Sequence, residues 1–170
     1  MNNKYQLTRE KIEQLQEEKR QLLEEREQNV ISIQEARSQG DLSENADYDA
    51  ARNEQARIAS RLIELDTILK NYEIIDESDS DDEYVRMGKW VRVVFEGIED
   101  EAQDDDFNGQ QVYKIVGTLE ADPIKRFISN ESPFGAAIMY HQVNDRVYVK
   151  PEEGEEFYVT ILEISGKEIN

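Results

Sequence analysis

The sequence predicts a two-domain α+β protein. An N-terminal antiparallel hairpin of two long helices is followed by a small, mostly antiparallel β-sheet domain with one short helix. Three observations predict it. Apolar residues recur at near-heptad spacing through residues 8–38 and again through 44–75, with a glycine-bearing break between them. From residue 84 onward the apolar period changes to two, in short runs. Between these regions lies an acidic run, residues 76–83, Asp-Glu-Ser-Asp-Ser-Asp-Asp-Glu, which can bury no apolar area and reads as a solvated linker. The expected domains are therefore residues 1–75 and 84–170.

Thr8 is placed to cap the first helix. Ile12, Leu15, Leu22, Val30 and Ile33 mark its apolar stripe, with Lys19 and Arg26 filling seam positions. Without proline or internal glycine it should run roughly 45 Å at the helical rise of about 1.5 Å per residue. The second helix carries Ala51, Ile58, Leu62, Leu65, Leu69 and Tyr72, stepping by four and three from Ile58 onward. A connection of about five residues between two long helices makes them antiparallel neighbours. In the second domain the expected strands carry Val91, Val93 and Phe95; Val112, Ile115 and Val116; Phe127 and Ile128; Val147 and Val149; and Phe157, Val159, Ile161 and Ile164. Pro133 opens a predicted short helix over Phe134 to Tyr140.

Charge narrows the function. The 170 residues carry a net charge of −19. Residues 1–75 hold 11 Lys/Arg and 16 Asp/Glu, whereas residues 76–170 hold 9 and 23. Such a chain is not expected to bind free DNA or RNA by charge, because phosphate binding needs clustered cations. There is no cysteine, hence no disulfide, thiolate metal site or thiol nucleophile. No apolar leader and no run of 18 apolar residues is present, so the expectation is a cytoplasmic protein without a membrane partner.

The break between the helices, Gly40-Asp41-Leu42-Ser43-Glu44-Asn45-Ala46-Asp47-Tyr48-Asp49-Ala50-Ala51-Arg52, is where chemistry concentrates. Asp41 and Glu44, three apart, would fall on one side of the first turn of the second helix. They can act as a capping box, with Gly40 ending the first helix. Asp47 and Asp49 add more acid than a cap needs. Arg37 lies one turn before the break and Arg52 about three turns into the second helix; both can pair with neighbouring carboxylates such as Glu35 or Asp49. Two carboxylates on a rod without a pocket do not make a complete enzyme, since catalysis needs a concavity that excludes water and fixes the substrate.

Other candidates carry less. Asp104, Asp106, Asn108 and Gly109 copy half of a calcium loop, but its twelfth position is Ile115 on a predicted strand. His141, the single histidine, has no recognisable catalytic partners, and Trp90 and Tyr84 read as packing residues.

Gly40 to Tyr48, with Ala50-Ala51-Arg52 behind it, resembles the tip signature of the bacterial transcript cleavage factors GreA and GreB, and its modest basic content leans towards GreA. The resemblance continues through Leu7-Thr8, Ile115-Val116-Gly117, Glu120-Ala121-Asp122, Ile128-Ser129, Ser132-Pro133 and Asp145-Arg146-Val147. It departs at Asn144, where the family usually has glycine, and at residues 96–111, which are longer and more acidic than usual. The resemblance implies that the second domain is similar to the FK506-binding-protein fold. It also implies a monomer that is not itself an enzyme. Such a factor binds RNA polymerase, inserts its tip into the secondary channel and stimulates cleavage of backtracked nascent RNA. By the same resemblance Asp41 and Glu44 share a Mg²⁺ with the polymerase, none being bound stably by the free protein. Arg37 and Arg52 face the 3′ end of the RNA. Asp122, Ser129, Ser132 and Pro133 dock on a coiled coil of the largest polymerase subunit. The rival readings are a non-cleaving factor that occludes the same channel, a prolyl isomerase, and a coiled-coil scaffold.

Overall fold

The computed structural model describes residues 4–38, 46–76, 82–96 and 109–169. Two units result, Glu10–Tyr72 and Met1–Arg9 together with Glu73–Asn170. Among the described residues no helix is long and apolar enough to cross a membrane.

The helical unit is α1 (Arg9–Ser38) and α2 (Ala46–Lys70). Cross-helix contacts show them antiparallel. Lys19 pairs with Asp66, Arg61 with Glu18, Arg57 with Glu25, and Asn29 reaches Ala51, so partners advance on one helix as they retreat on the other. The buried seam is Ile12, Leu15, Leu22, Asn29, Ile33 and Ala36 on α1 and Ala51, Ile58, Leu65 and Ile68 on α2, at spacings of three, four and seven. Of the expected stripe, Ile12, Leu15, Leu22 and Ile33 are buried as expected; only at Val30 does the neighbouring Asn29 take the place. Val30 is 42% exposed, while Asn29 is buried and donates from Nδ2 to the Ala51 carbonyl oxygen at 3.0 Å. A polar residue at one seam position fixes register at some cost in stability. Lys19 and Arg26 do not fill the seam: Lys19 is at its edge in an ion pair, and Arg26 is exposed.

Helix α2 ends before the expected residue 75. The Asn71 N–H turns back to the Ile68 carbonyl at 3.0 Å, and the chain enters β2 (Tyr72–Ile74), paired with β1 (Tyr5–Leu7). The β-branched and aromatic residues Tyr72, Ile74 and Ile75 favour extension once a partner strand is available. The Ile75 N–H bonds the Leu7 carbonyl at 2.8 Å.

The larger sheet has the order β5-β4-β3-β7-β6, built from β3 (Trp90–Glu96), β4 (Gln110–Val116), β5 (Phe127–Ser129), β6 (Arg146–Val149) and β7 (Phe157–Ser165). All its pairings are antiparallel except β4 with β5. The period of two is visible in β6, where Arg146 and Tyr148 are exposed and Val147 and Val149 buried. The short helix α3 (Pro133–Ile138) packs on the inner face. Val91, Val93, Ile115, Val147, Val149, Val159 and Ile161 form the core with Ile138. Phe134 stacks on Phe95 at 5.9 Å and meets Tyr113 edge-on at 5.4 Å. Ile115, buried at 0% exposure, is a core residue, which removes it as a calcium ligand; Asp104, Asp106 and Asn108 lie outside the described residues.

Candidate functional site

At the end of the hairpin, the last turn of α1 and the first turns of α2 are described; Asp41 and Glu44 lie outside the described residues, as does Gly40. Arg37 is exposed, and its guanidinium lies 5.7 Å from the centre of the Tyr48 ring. This contact joins the last turn of α1 to the first of α2, worth about 0.5–1 kcal/mol at an exposed site. Asp47 and Asp49 are exposed in that first turn. Arg52, one turn further, donates to the Gln55 side chain at 2.8 Å.

The hairpin arginines fall into two groups. Arg20, Arg57 and Arg61 are each committed to two carboxylates. The Arg20 guanidinium pulls the Glu17 carboxyl down to about 2, and Arg61 likewise holds Glu18 below its ordinary value. Arg26, Arg37 and Arg52 form no ion pair among the described residues. Arg26 and Arg52 line one groove together with Val30, Ala56 and Ala59. The sequence reading missed Arg26 as a surface cation because its heptad spacing from Ile33 assigned it to the seam, whereas its side chain is exposed and lines the groove.

In the β unit, Asp122, Ser129, Ser132 and Pro133 come together around β5. Asp122 and Phe127 exchange both backbone hydrogen bonds, at 3.0 and 2.9 Å, and the Asp122 carboxylate accepts the N–H groups of Ile124 and Lys125. The Ser129 hydroxyl accepts from the Glu131 N–H and lies 3.3 Å from the Thr118 hydroxyl. Ser132 caps α3 by accepting the Gly135 N–H at 3.0 Å, with Pro133 at the first helical position. Each thus shapes a turn or a cap at an end of β5. Gly135 is required by close approach, since a Cβ there would run into the Ser129 carbonyl oxygen. Gly117 is required likewise, against the Gln6 carbonyl of β1.

Near β5 is a residue whose role the sequence did not show. Glu120 is 8% exposed, and its carboxylate accepts both the backbone N–H (2.5 Å) and the hydroxyl (2.9 Å) of Thr8. Elsewhere, His141 pairs with Asp145 at 2.9 Å, and Trp90 meets Phe127 edge-on. Asn144 adopts φ +72°, a left-handed conformation that glycine and asparagine tolerate best. Among the described residues no group of three or more His, Asp or Glu is gathered for a metal ion.

Both halves of the chain match family sequence models. Residues 5–74 match the transcription elongation factor N-terminal model, and residues 79–166 the GreA/GreB C-terminal model. The chain belongs to the GreA/GreB family of transcription elongation factors. Family members named transcription elongation factor GreA are similar along nearly the whole length. That of Acholeplasma laidlawii is 45% identical over 162 residues, covering 95% of this chain and 96% of the relative. Those of Lachnoclostridium phytofermentans and Halalkalibacterium halodurans are 42% and 40% identical, covering 93% of each chain in the first case, and 95% of this chain and 96% of the relative in the second. A solved structure of the transcription factor Gfh1 aligns at TM-score 0.44 and 24% identity, over 96% of this chain and 99% of that one, which supports no residue-level comparison.

Proposed function

We propose that this chain binds RNA polymerase in the cytoplasm and stimulates the polymerase's own cleavage of backtracked nascent RNA, without being an enzyme by itself. The observation that supports it most is the place of Asp41 and Glu44. Both fall in the short segment joining two antiparallel helices, in a chain whose two halves match the GreA/GreB models. Helices of 30 and 25 residues extend about 45 and 37 Å at the helical rise. That length suits a rod that carries a small polar tip into a channel of another protein.

The donor set fits Mg²⁺ shared between two proteins. Aspartate and glutamate oxygens are the hard ligands Mg²⁺ prefers, yet two carboxylates do not fill its octahedral shell, so the remainder must come from the polymerase. When bound, the ion neutralises the charge that develops during phosphodiester cleavage. Asp41 and Glu44 would hold and orient a water for in-line attack and accept its proton. Arg37, with Arg52 beside it, would steady RNA phosphates near the tip. Asp122, Ser129, Ser132 and Pro133 would hold the β unit on the rim of the channel, against the coiled coil of the largest subunit, with the factor acting as a monomer.

The test is Asp41→Asn in a stalled polymerase complex. Asparagine caps a helix as well as aspartate does, so folding and polymerase binding should persist. The amide is neutral, so stimulated cleavage should fall by orders of magnitude and return in part with added Mg²⁺. Cleavage at the wild-type rate would reduce Asp41 to a cap. Wild-type protein that binds and occludes the channel, yet stimulates no cleavage, would favour the inhibitor.

A further inference from the structure

We propose that the turn between Asp122 and Phe127 is the anchor of the docking surface. Ile124 is its apolar knob, Lys125 and Arg126 are its flanking cations, and its partner is an apolar notch rimmed by carboxylates on the polymerase. This rests on the reading above that the β unit docks on RNA polymerase.

Three independent observations carry it. First, Ile124 is 94% exposed, the most exposed large apolar side chain among the described residues. Isolated surface apolar residues are ordinary, but this one stands on a pinned backbone. The Asp122 carboxylate accepts the Ile124 and Lys125 N–H groups, and Asp122 and Phe127 close the turn with paired backbone bonds. A knob already ordered loses little freedom on binding, which is what an interface hot spot needs.

Second, the charge at this corner opposes that of its domain. Residues 76–170 hold 9 Lys/Arg against 23 Asp/Glu. Three of those cations meet here: Lys125, Arg126, and Lys114, whose ammonium lies 5.5 Å from the Phe127 ring centre. Lys125 and Arg126 are exposed and form no ion pair among the described residues. An acidic partner surface complements this corner and repels the rest of the domain, which orients docking. A polynucleotide is a poorer fit, because so acidic a surround leaves one short turn to supply all phosphate contacts.

Third, Arg126 adopts φ +59°. Glycine takes that conformation without strain, whereas a longer side chain costs about 1 kcal/mol there. The strained position is occupied by a cation two residues from Ile124 in the same closed turn, and strained residues of this kind cluster at clamps and binding sites.

The experiment measures affinity of the full-length chain for its cognate RNA polymerase. Because the chain has no cysteine, a single cysteine added at one terminus takes a dye for anisotropy. Ile124→Ala is expected to weaken binding about tenfold or more. Lys125→Glu with Arg126→Glu should weaken it at least as much and flatten its salt dependence, which a purely structural change would not do. Ile74→Ala, at an apolar site 47% exposed elsewhere on the unit, should bind as wild type. All melting temperatures should stay within a few degrees of wild type. If a variant melts early, Arg126→Gly replaces it; that change relieves strain, should melt no lower, and should bind several-fold more weakly. Wild-type protein that binds polymerase while Ile124→Ala and the charge reversal bind equally well overturns this proposal alone. Wild-type protein that does not bind polymerase overturns it together with the docking role above.

Discussion

Replacing Glu120 by alanine should damage the β unit more than any surface position nearby. The carboxylate is nearly buried and accepts two hydrogen bonds from one residue, the Thr8 N–H and hydroxyl. Hydrogen bonds to a charged group contribute about 1.5–3 kcal/mol each, and Thr8, 3% exposed, has little access to replacement water. The expected loss is therefore about 3–5 kcal/mol. For a unit of about a hundred residues, about 1 kcal/mol corresponds to roughly 4–8 °C, so the melting temperature should drop by about 12–40 °C. Glu120→Gln keeps one acceptor oxygen and should lose about half as much. Thermal melting of the full chain gives the first number, and hydrogen exchange at Leu7 and Ile75 reports whether β1 has come away from β2. A cycle with Thr8→Val isolates the shared term. A loss under about 1 kcal/mol for Glu120→Ala, or additivity in the cycle, would refute the assignment of Glu120 as the clamp on Thr8.

Three further outcomes are expected. Gly135→Ala should lower stability by about 1–3 kcal/mol, because its Cβ would overlap the Ser129 carbonyl oxygen and push α3 off β5; denaturant titration measures it. Tyr140→Gly should raise the melting temperature, since Tyr140 is 71% exposed at φ +66° and relieving that conformation gains about 1 kcal/mol; an unchanged or lower value would show that the ring contributes packing. Lowering the pH below about 5 should destabilise the fold, which melting curves from pH 6 to 3 would record. Hydrogen bonds to Arg61, Arg146 and the Gln142 N–H hold Glu18, Glu96 and Asp145 respectively below their ordinary values. The unfolded chain then binds more protons than the folded one through this range, so stability present above the unfolded pKa is lost as pH falls through the folded values.

The hairpin and the sheet strands were legible because burial follows local period. Val91, Val93, Val147, Val149, Val159 and Ile161 alternate in sequence, and all are buried. In the seam of α1 Ile12, Leu15, Leu22 and Ile33 were legible and one position was not: Asn29 rather than Val30 is buried, because its amide is satisfied by the Ala51 carbonyl, a partner 22 residues away. The last turn of the second helix was misassigned for a related reason. Tyr72, Glu73 and Ile74 fit a helical period, yet they have a strand partner in residues 5–7 that no local window contains. Glu120 stood out only as part of the Glu120-Ala121-Asp122 motif, and its role as a clamp was not legible because its partner is 112 residues distant. Around β5 the serine and proline roles follow from turn and cap chemistry, whereas the exposure of Ile124 depends on how the turn closes. Asp41 and Glu44, outside the described residues, are known from sequence alone.

The first strand has a consequence for how the chain is made. Its partner strand leaves the ribosome some sixty residues later, and Thr8 waits longer still for Glu120, 112 residues downstream. Contacts this distant in sequence slow folding, because the loop must close before the contact stabilises anything. The helical segment between them changes that calculation. Once Glu10–Tyr72 has folded back on itself, it brings residues 9 and 73 near each other and shortens the effective loop to less than half. By the logarithmic dependence on loop length this lowers the closure cost by about 0.7 kcal/mol. Mutations that melt the coiled coil should therefore delay β1 docking during refolding even where the final stability of the sheet is unaltered, which stopped-flow refolding would record.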